Sequence, residues 1–97
     1  MLYMIIESFR DLDAVGARFR ERGRMMPDGV LYHASWMASD GSKCFQIMES
    51  PRRDLLDSWM QNWQDLVDFE VTEIMVAADF WDKRKLGHPA SLPTARS

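Results

Sequence analysis

The chain has a single cysteine, Cys44, among its 97 residues. One thiol leaves no partner for an internal disulfide, which favours a reducing compartment. No apolar run approaches the roughly 18–20 residues that a membrane-spanning helix needs. The opening segment, MLYMIIESF, lacks the basic region and the small-residue cleavage site of a signal peptide. These absences predict a cytoplasmic protein with no membrane contact.

Positive charge is also in the minority. The 12 Lys and Arg residues are outnumbered by 15 Asp and Glu residues, and the formal net charge is −3. Nonspecific nucleic-acid binding depends on clustered positive charge that neutralises phosphates, so we expect no nucleic-acid partner. The one basic cluster, residues 18–24, is interrupted by Phe19, Glu21 and Gly23. It is typical of a solvated helix face, and the alternative is a phosphate-binding patch.

Hydrophobic patterning predicts four strands and two helices. The apolar run 2–8 is too short for a helix and indicates a strand buried on both faces. A helix capped by Asp11 or Asp13 follows it. Segments 30–39 and 43–49 alternate around Asp40-Gly41, a strong hairpin signal. Ser50-Pro51 predicts the start of a second helix, since Ser caps and Pro suits the first helical position. The β-forming residues of segment 69–78 indicate the last strand.

The order β-α-β-β-α-β predicts an α+β domain with the ferredoxin-like fold, in which two helices lie on one face of a four-stranded antiparallel sheet. We place this domain at residues 1–78. A short extension or flap follows at 79–85, and a disordered Pro/Ala/Ser-rich tail at 86–97. Because the first strand is apolar on both sides, something must cover the open side of the sheet. The same sheet of a second subunit would do so, which predicts a homodimeric α+β barrel with a cavity between the sheets.

We assign one face of the hairpin to the core beneath the helices. With a two-residue turn at Asp40-Gly41, or with a four-residue loop, Trp36 opposes Phe45 and Ala34 opposes Ile47. These bulky apolar pairs suit packing against tryptophans of the second helix. The other strand side chains expected beneath the helices are Leu2, Met4, Ile6, Ile74 and Val76, and Trp59 and Trp63 belong to the apolar face of the second helix that covers them.

The other hairpin face carries polar side chains that a core does not need, and we expect it to face the partner subunit. The same register pairs His33 with Met48, Ser35 with Gln46 and Met37 with Cys44. Glu7 and Glu73 are assigned to this side as well. The expected ligand-binding residues are Tyr3, His33, Ser35, Met37, Cys44, Gln46 and Met48.

His33 and Glu73 are the candidate catalytic residues. Histidine titrates near neutral pH, and a carboxylate in a partly apolar cavity has a raised pKa that suits proton transfer. Each has a structural alternative: His33 as a hydrogen-bonded interface residue, and Glu73, like Glu7, as a strand-end residue in solvent. Cys44 is more typical of a small buried hydrophobe than of a nucleophile. Neither zinc-type spacing nor a Gly-rich phosphate loop is present, so we expect no metal and no cofactor.

Four segments carry a resemblance to a known family: MLYMIIESFRD, RFRERGRMMPDGVLYHASWM, KCFQIMES and WQDLVDFEVTEIMVA. They resemble the bacterial family of uncharacterised proteins called domain of unknown function DUF3303, over about residues 1–78. The resemblance implies a ferredoxin-like fold of the dimeric α+β barrel kind. It implies no activity.

Three functions follow as hypotheses. The first is a small homodimeric protein that binds a mostly apolar molecule between the two sheets, oriented by His33, Ser35, Gln46 and Tyr3. The second is a cofactor-independent enzyme, monooxygenase-like or isomerase-like, in which His33 or Glu73 abstracts a proton; it is an analogy of fold alone. The third is a dimeric interaction module without a ligand.

Overall fold

A computed structural model describes residues 1–84, and the predicted tail at 86–97 lies outside these residues. The elements in chain order are β1 (Leu2–Phe9), α1 (Leu12–Arg22), β2 (Leu31–Met37), β3 (Lys43–Glu49), α2 (Arg53–Gln61), β4 (Val67–Ile74) and α3 (Ala77–Arg84). The four strands form one antiparallel sheet in the order β2-β3-β1-β4. The predicted ferredoxin-like α+β fold is confirmed.

The helix starts follow the local capping chemistry. Asp11 caps α1, because its side chain accepts a hydrogen bond from the backbone N–H of Ala14 at 3.0 Å. The prediction that Ser50 caps α2 is wrong. The Ser50 hydroxyl instead donates to the carbonyl oxygen of Arg52 at 2.6 Å, which stabilises the preceding turn. Helix α2 then begins at Arg53 with no side-chain cap.

The last strand is shorter and earlier than predicted. It spans Val67–Ile74, and the chain after Met75 and Val76 forms α3 rather than continuing the sheet. Val76, which we expected in the core, is 59% exposed. Residues 79–84 of the predicted extension belong to α3.

The hairpin register agrees with the prediction near the turn and departs from it at one bulge. Ala34 pairs with Ile47 and Trp36 with Phe45 as expected. Between Tyr32 and Ala34 the register shifts, so Tyr32 and not His33 lies opposite Met48. A bulge places one extra residue in its strand and re-aims the side chains around it. His33 is therefore set apart from the residues that it was predicted to join.

The helices cover the opposite face of the sheet from the one predicted. The core joins Tyr3, Ile5 and Met48 of the strands to Leu56 and Trp59 of α2. Trp59 and Trp63, expected in the core, are there at 2% and 5% exposure. The register places Glu7, Cys44 and Gln46 on the same covered face as Tyr3 and Met48.

The uncovered face, called the open face below, carries the side chains that we predicted for the core. Trp36 is 58% exposed, which contradicts its assignment beneath the helices. The other members of the open face, by register, are Leu2, Met4, Ile6, Ala34, Phe45, Ile47 and Ile74. Strand alternation determines which residues share a face, but it does not tell which face the helices cover. Both faces of the central strand are apolar, so hydrophobicity did not decide the question.

Candidate binding cavity between the helices and the sheet

A cavity of about 260 Å³ lies between the helices and the covered face of the sheet. Its wall is mostly apolar, with aromatic side chains from both helical regions. The apolar and aromatic lining residues are Phe9, Leu12, Val15, Phe19, Met37, Trp59, Trp63 and Val67. The polar lining residues are Glu7, Arg24, Ser35, Cys44 and Gln46. A few polar groups inside an apolar cavity are typical of a small-molecule site.

Glu7 is the titratable group at the sheet side of the cavity. It lies on β1, opposite Cys44 on β3 and Phe69 on β4. Burial removes water from the carboxylate and raises the pKa of Glu7 to about 7, while a hydrogen bond from Cys44 and the charge of Arg24 act in the opposite direction. Glu7 can therefore take up or release a proton near neutral pH.

Cys44 is a protonated thiol in this setting. It is 7% exposed, and burial, followed by the neighbouring Glu7 charge, raises the pKa of Cys44 to about 11. A thiol with so high a pKa is a weak nucleophile at neutral pH. The Ser35 hydroxyl also hydrogen-bonds to it, and the hydroxyls of Tyr32 and Ser35 are 2.6 Å apart. A chain of polar groups therefore crosses the sheet from Tyr32 to Glu7.

Gln46 is a buried amide with little to bind. Gln46 is only 4% exposed. Within residues 1–84 its side chain makes one hydrogen bond, in which Nε2 donates to the thioether sulfur of Met48 at 3.2 Å. No donor in that range reaches its carbonyl oxygen. Most buried side-chain polar atoms in proteins have at least one hydrogen-bond partner, and an unsatisfied one costs about 1–3 kcal/mol. The cavity thus presents an unused hydrogen-bonding group.

The loop after α1 is tied down by the second helix and the turn after it. The indole N–H groups of Trp59 and Trp63 both donate to the backbone carbonyl of Arg24, at 2.8 and 3.2 Å. The amide of Asn62 donates to the carbonyl of Met25 at 3.3 Å. Met25 has a φ of 59°, an uncommon conformation for a residue with a side chain. These three hydrogen bonds hold the loop in that conformation.

The side chain of Arg24 packs against rings instead of a carboxylate. Its guanidinium carbon is 3.7 Å from the ring centre of Tyr32 and 5.2 Å from that of Phe19. Cation–π contacts of this kind are attractive. The ion pairs within residues 1–84 do not include Arg24. Its charge therefore stays available to an anion.

The structure brings together four of the predicted site residues and separates the rest. Ser35, Met37, Cys44 and Gln46 line the cavity. The cavity, however, lies within a single chain, beneath the helices, and not on the open face. Tyr3 and Met48 belong to the adjoining core at 3% and 0% exposure and are not lining residues.

The two candidate catalytic residues lie outside the cavity. His33 is exposed and its Nε2 is 2.9 Å from Oε1 of Glu49. Glu73 pairs with Tyr3 at the far end of β1 and is also exposed. Neither side chain is among the lining residues. Glu7, which the sequence singled out beside Glu73, is the carboxylate that lines the cavity.

Arg24 and Phe19 are among the cavity-lining residues that the sequence did not predict. Arg24 was interpreted as part of a solvated basic cluster, with a phosphate-binding patch as the alternative, and Phe19 as a residue that interrupts this cluster. The available signal was Gly23, since glycine directly after a helix indicates a left-handed turn that redirects the chain; Gly23 has a φ of 69°. The contact of Trp59 and Trp63 with this turn had no signal in the sequence.

Within residues 1–84 no group of three or more His, Cys, Asp or Glu side chains is placed to hold a metal ion. No helix in that range combines the length and the apolar character needed to cross a membrane.

Comparison with known proteins gives one match. The family model described as domain of unknown function (DUF3303) matches residues 1–85. No curated protein and no solved structure matches the chain. The match covers the whole described domain and agrees with the resemblance that the sequence segments carry. The chain therefore belongs to the DUF3303 family.

Proposed function

We propose that this protein binds a small, mostly apolar molecule carrying a polar group in the cavity between its helices and its sheet. The observation that carries the proposal is Gln46, a buried amide that faces an apolar cavity with only a thioether as its partner. A polar group on the bound molecule would satisfy it. A cavity of about 150 Å³ accepts one benzene ring, so the 260 Å³ available here suits a two-ring compound.

The test uses 2-naphthol as the probe. Trp59 and Trp63 line the cavity, so binding is measured by quenching of tryptophan fluorescence. We expect Val15→Phe, which fills the cavity from α1, to weaken binding at least tenfold. The matched control is Ala17→Phe, on the exposed side of the same helix, which should bind like the wild type. Equal binding by both variants, or none by the wild type, would refute the proposal. Native mass spectrometry of the purified protein then shows whether a natural molecule is retained.

Proton transfer is a second candidate function, and the chemistry of Glu7 favours it. A general base works best when its pKa is close to the working pH, and burial brings Glu7 to about 7. This replaces His33 and Glu73 as the acid–base candidates. The test is exchange of the activated C–H hydrogens of 2-tetralone in D₂O, followed by NMR. Catalysed exchange that disappears in Glu7→Gln while 2-naphthol binding persists would support an enzyme; exchange at the uncatalysed rate would argue for binding alone.

We further propose that the protein is a homodimer whose subunits meet through their open faces. The support is the run of apolar side chains across three neighbouring strands, including Ile6, Trp36 and Ile47. Permanent interfaces are more apolar than ordinary surface, and two-fold dimers are the commonest assemblies. If the cavity proves to bind nothing, such a dimer is the interaction module of the third hypothesis.

Oligomeric state is measured by light scattering after size-exclusion chromatography. We expect a dimer for the wild type and a monomer for Ile6→Glu, because the new carboxylate would be buried in the interface. Gln64→Glu, which adds the same charge at an exposed site after α2, should remain dimeric. A monomeric wild type would overturn the proposal.

We also place the protein in the bacterial cytoplasm, as a proposal. The family resemblance implies the bacterial source. The buried free thiol of Cys44 fits a reducing compartment. Fractionation of a bacterial host that expresses the chain, with immunodetection, would refute this location if the protein were recovered outside the cytoplasmic fraction.

A further inference from the structure

We infer that the molecule bound in the cavity is a small aromatic acid whose carboxylate pairs with Arg24. The inference deepens the binding function proposed above and rests on it. It adds the charge and chemical class of the ligand, and it makes Arg24 a specificity-determining residue.

Arg24 differs from the other arginines that pack against the body of the domain. Arg10 and Arg18 form ion pairs with Asp68 and Asp65, which are distant from them in the sequence. Arg24 is half-buried and lines the cavity, yet within residues 1–84 it has neither an ion pair nor a side-chain hydrogen bond. A guanidinium presents five N–H donors in a planar fork that matches a carboxylate. Its guanidinium contacts the rings of Tyr32 and Phe19, and within residues 1–84 no carboxylate or carbonyl accepts a hydrogen bond from these donors.

The position of Arg24 is built into the fold. Two indole N–H groups converge on its backbone carbonyl, and the next residue, Met25, is held at a positive φ. Such a conformation costs on the order of 1 kcal/mol and persists only where surrounding contacts impose it. An arginine held in this way loses less conformational entropy when it binds than a free surface arginine would.

The remainder of the cavity matches the rest of such a ligand. Phe19, Trp59 and Trp63 line the cavity with aromatic surface that suits an aromatic body. Gln46 offers its unpaired carbonyl oxygen to a second polar group that can donate a hydrogen bond. An aromatic acid that also carries a second polar atom uses all three features, whereas a neutral hydrocarbon would leave Arg24 without an ion pair and the Gln46 amide without a full set of hydrogen bonds.

Proton uptake by Glu7 gives a second way to measure whether the bound molecule is an anion. The charged or titratable groups that face Glu7 are Cys44 on β3 and Arg24, and the lining residues from α1, α2, β2 and β4 are all uncharged. A carboxylate that enters the cavity repels ionised Glu7. Glu7 therefore takes up a proton as the anion binds near pH 7.

The experiment compares 2-naphthoate with its neutral analogue 2-naphthamide by isothermal titration calorimetry at pH 7. We expect the wild type to bind the acid roughly tenfold more tightly than the amide. Arg24→Gln should remove that preference while still binding the amide, which also shows that the variant is folded. Arg20→Gln, at an exposed position of α1 with the same change of charge, should keep the preference.

Proton uptake is read from the same titrations in phosphate and in Tris, whose ionisation enthalpies differ. We expect a buffer-dependent enthalpy for 2-naphthoate with the wild type and none with Glu7→Gln. Equal affinity for acid and amide, or equal effects of Arg24→Gln and Arg20→Gln, would overturn the inference and leave the binding function standing. If the wild type binds neither compound, the inference is overturned, and the binding function is overturned with it if 2-naphthol also fails to bind.

Discussion

Replacing Glu7 with glutamine is expected to stabilise this protein at pH 8 and to leave its stability unchanged near pH 4.5. The two side chains have almost the same shape, so the substitution removes a charge and leaves packing intact. Glu7 lies on the covered face of the central strand, beside Cys44. Its ionisation therefore creates a negative charge in a place that is largely shielded from water. The stability of the wild type should therefore depend on pH in a way that the variant does not.

The size of the effect follows from the two pKa values. Burial raises the pKa of Glu7 from 4.5 to about 7, and at about 1.4 kcal/mol for each pH unit this corresponds to about 3 kcal/mol. Below pH 4.5 the carboxyl is protonated in the folded and unfolded chains alike. Between pH 4.5 and 7 the unfolded chain releases the proton while the folded one keeps it, so the free energy of unfolding falls as pH rises. Above about pH 7 the loss is complete.

The assay is urea unfolding followed by tryptophan fluorescence at pH 5, 6, 7 and 8, at one protein concentration because association would also affect stability. The difference in unfolding free energy between Glu7→Gln and the wild type should grow from below about 1 kcal/mol at pH 5 to about 3 kcal/mol at pH 8. Glu73→Gln is the control, since it removes the same charge from an exposed position of β4. A difference for Glu7→Gln that does not change with pH would refute the reasoning.

Two other predictions concern the thiol and the glycines. With the pKa of Cys44 raised to about 11, its thiolate fraction at pH 8 is about 0.1%. Iodoacetamide should therefore alkylate the native protein about 100-fold more slowly than the urea-unfolded chain. Similar alkylation rates for the two forms would contradict this prediction. Gly23→Ala should lower the unfolding free energy by about 1 kcal/mol because Gly23 has a φ of 69°. Gly16→Ala, inside α1 with only an ordinary contact to Arg20, should raise the unfolding free energy by about 0.5–1 kcal/mol. Urea titrations in which both substitutions change the unfolding free energy in the same direction would be inconsistent with these roles.

Much of the fold was accessible from the sequence because it depends on local rules. The alternation around Asp40-Gly41 predicted the pairing of Trp36 with Phe45, and the hydrogen bond from Ala38 to Lys43 closes the loop that this register needs. The shift at His33 was not accessible, because a bulge adds one residue without changing the polar and apolar pattern. The start of α2 was misplaced because Ser50 has a closer partner in Arg52 than in the helix.

The candidate site was predicted as a set of neighbours but in the wrong surroundings. Ser35, Cys44 and Gln46 share a face, as the period of two in a strand requires. Their polarity suggested the open face, yet they lie beneath the helices, where they border a cavity and not a packed core. The polarity of these three residues correctly indicated an unusual site, but it led to the wrong prediction of which side of the sheet they occupy.

By itself, then, the sequence determined the order of the elements and the register near the turn, because both depend on contacts between residues close in the chain or on the strand period. It also indicated the family, through segments of sequence that resemble it. Only the tertiary structure decided which face the helices cover. Both faces of β1 are apolar, and the choice rests on long-range contacts such as those from Trp59 and Trp63 to the carbonyl of Arg24. Those same contacts bring Arg24 to the cavity that Glu7 lines, and no local pattern in the chain encodes that meeting.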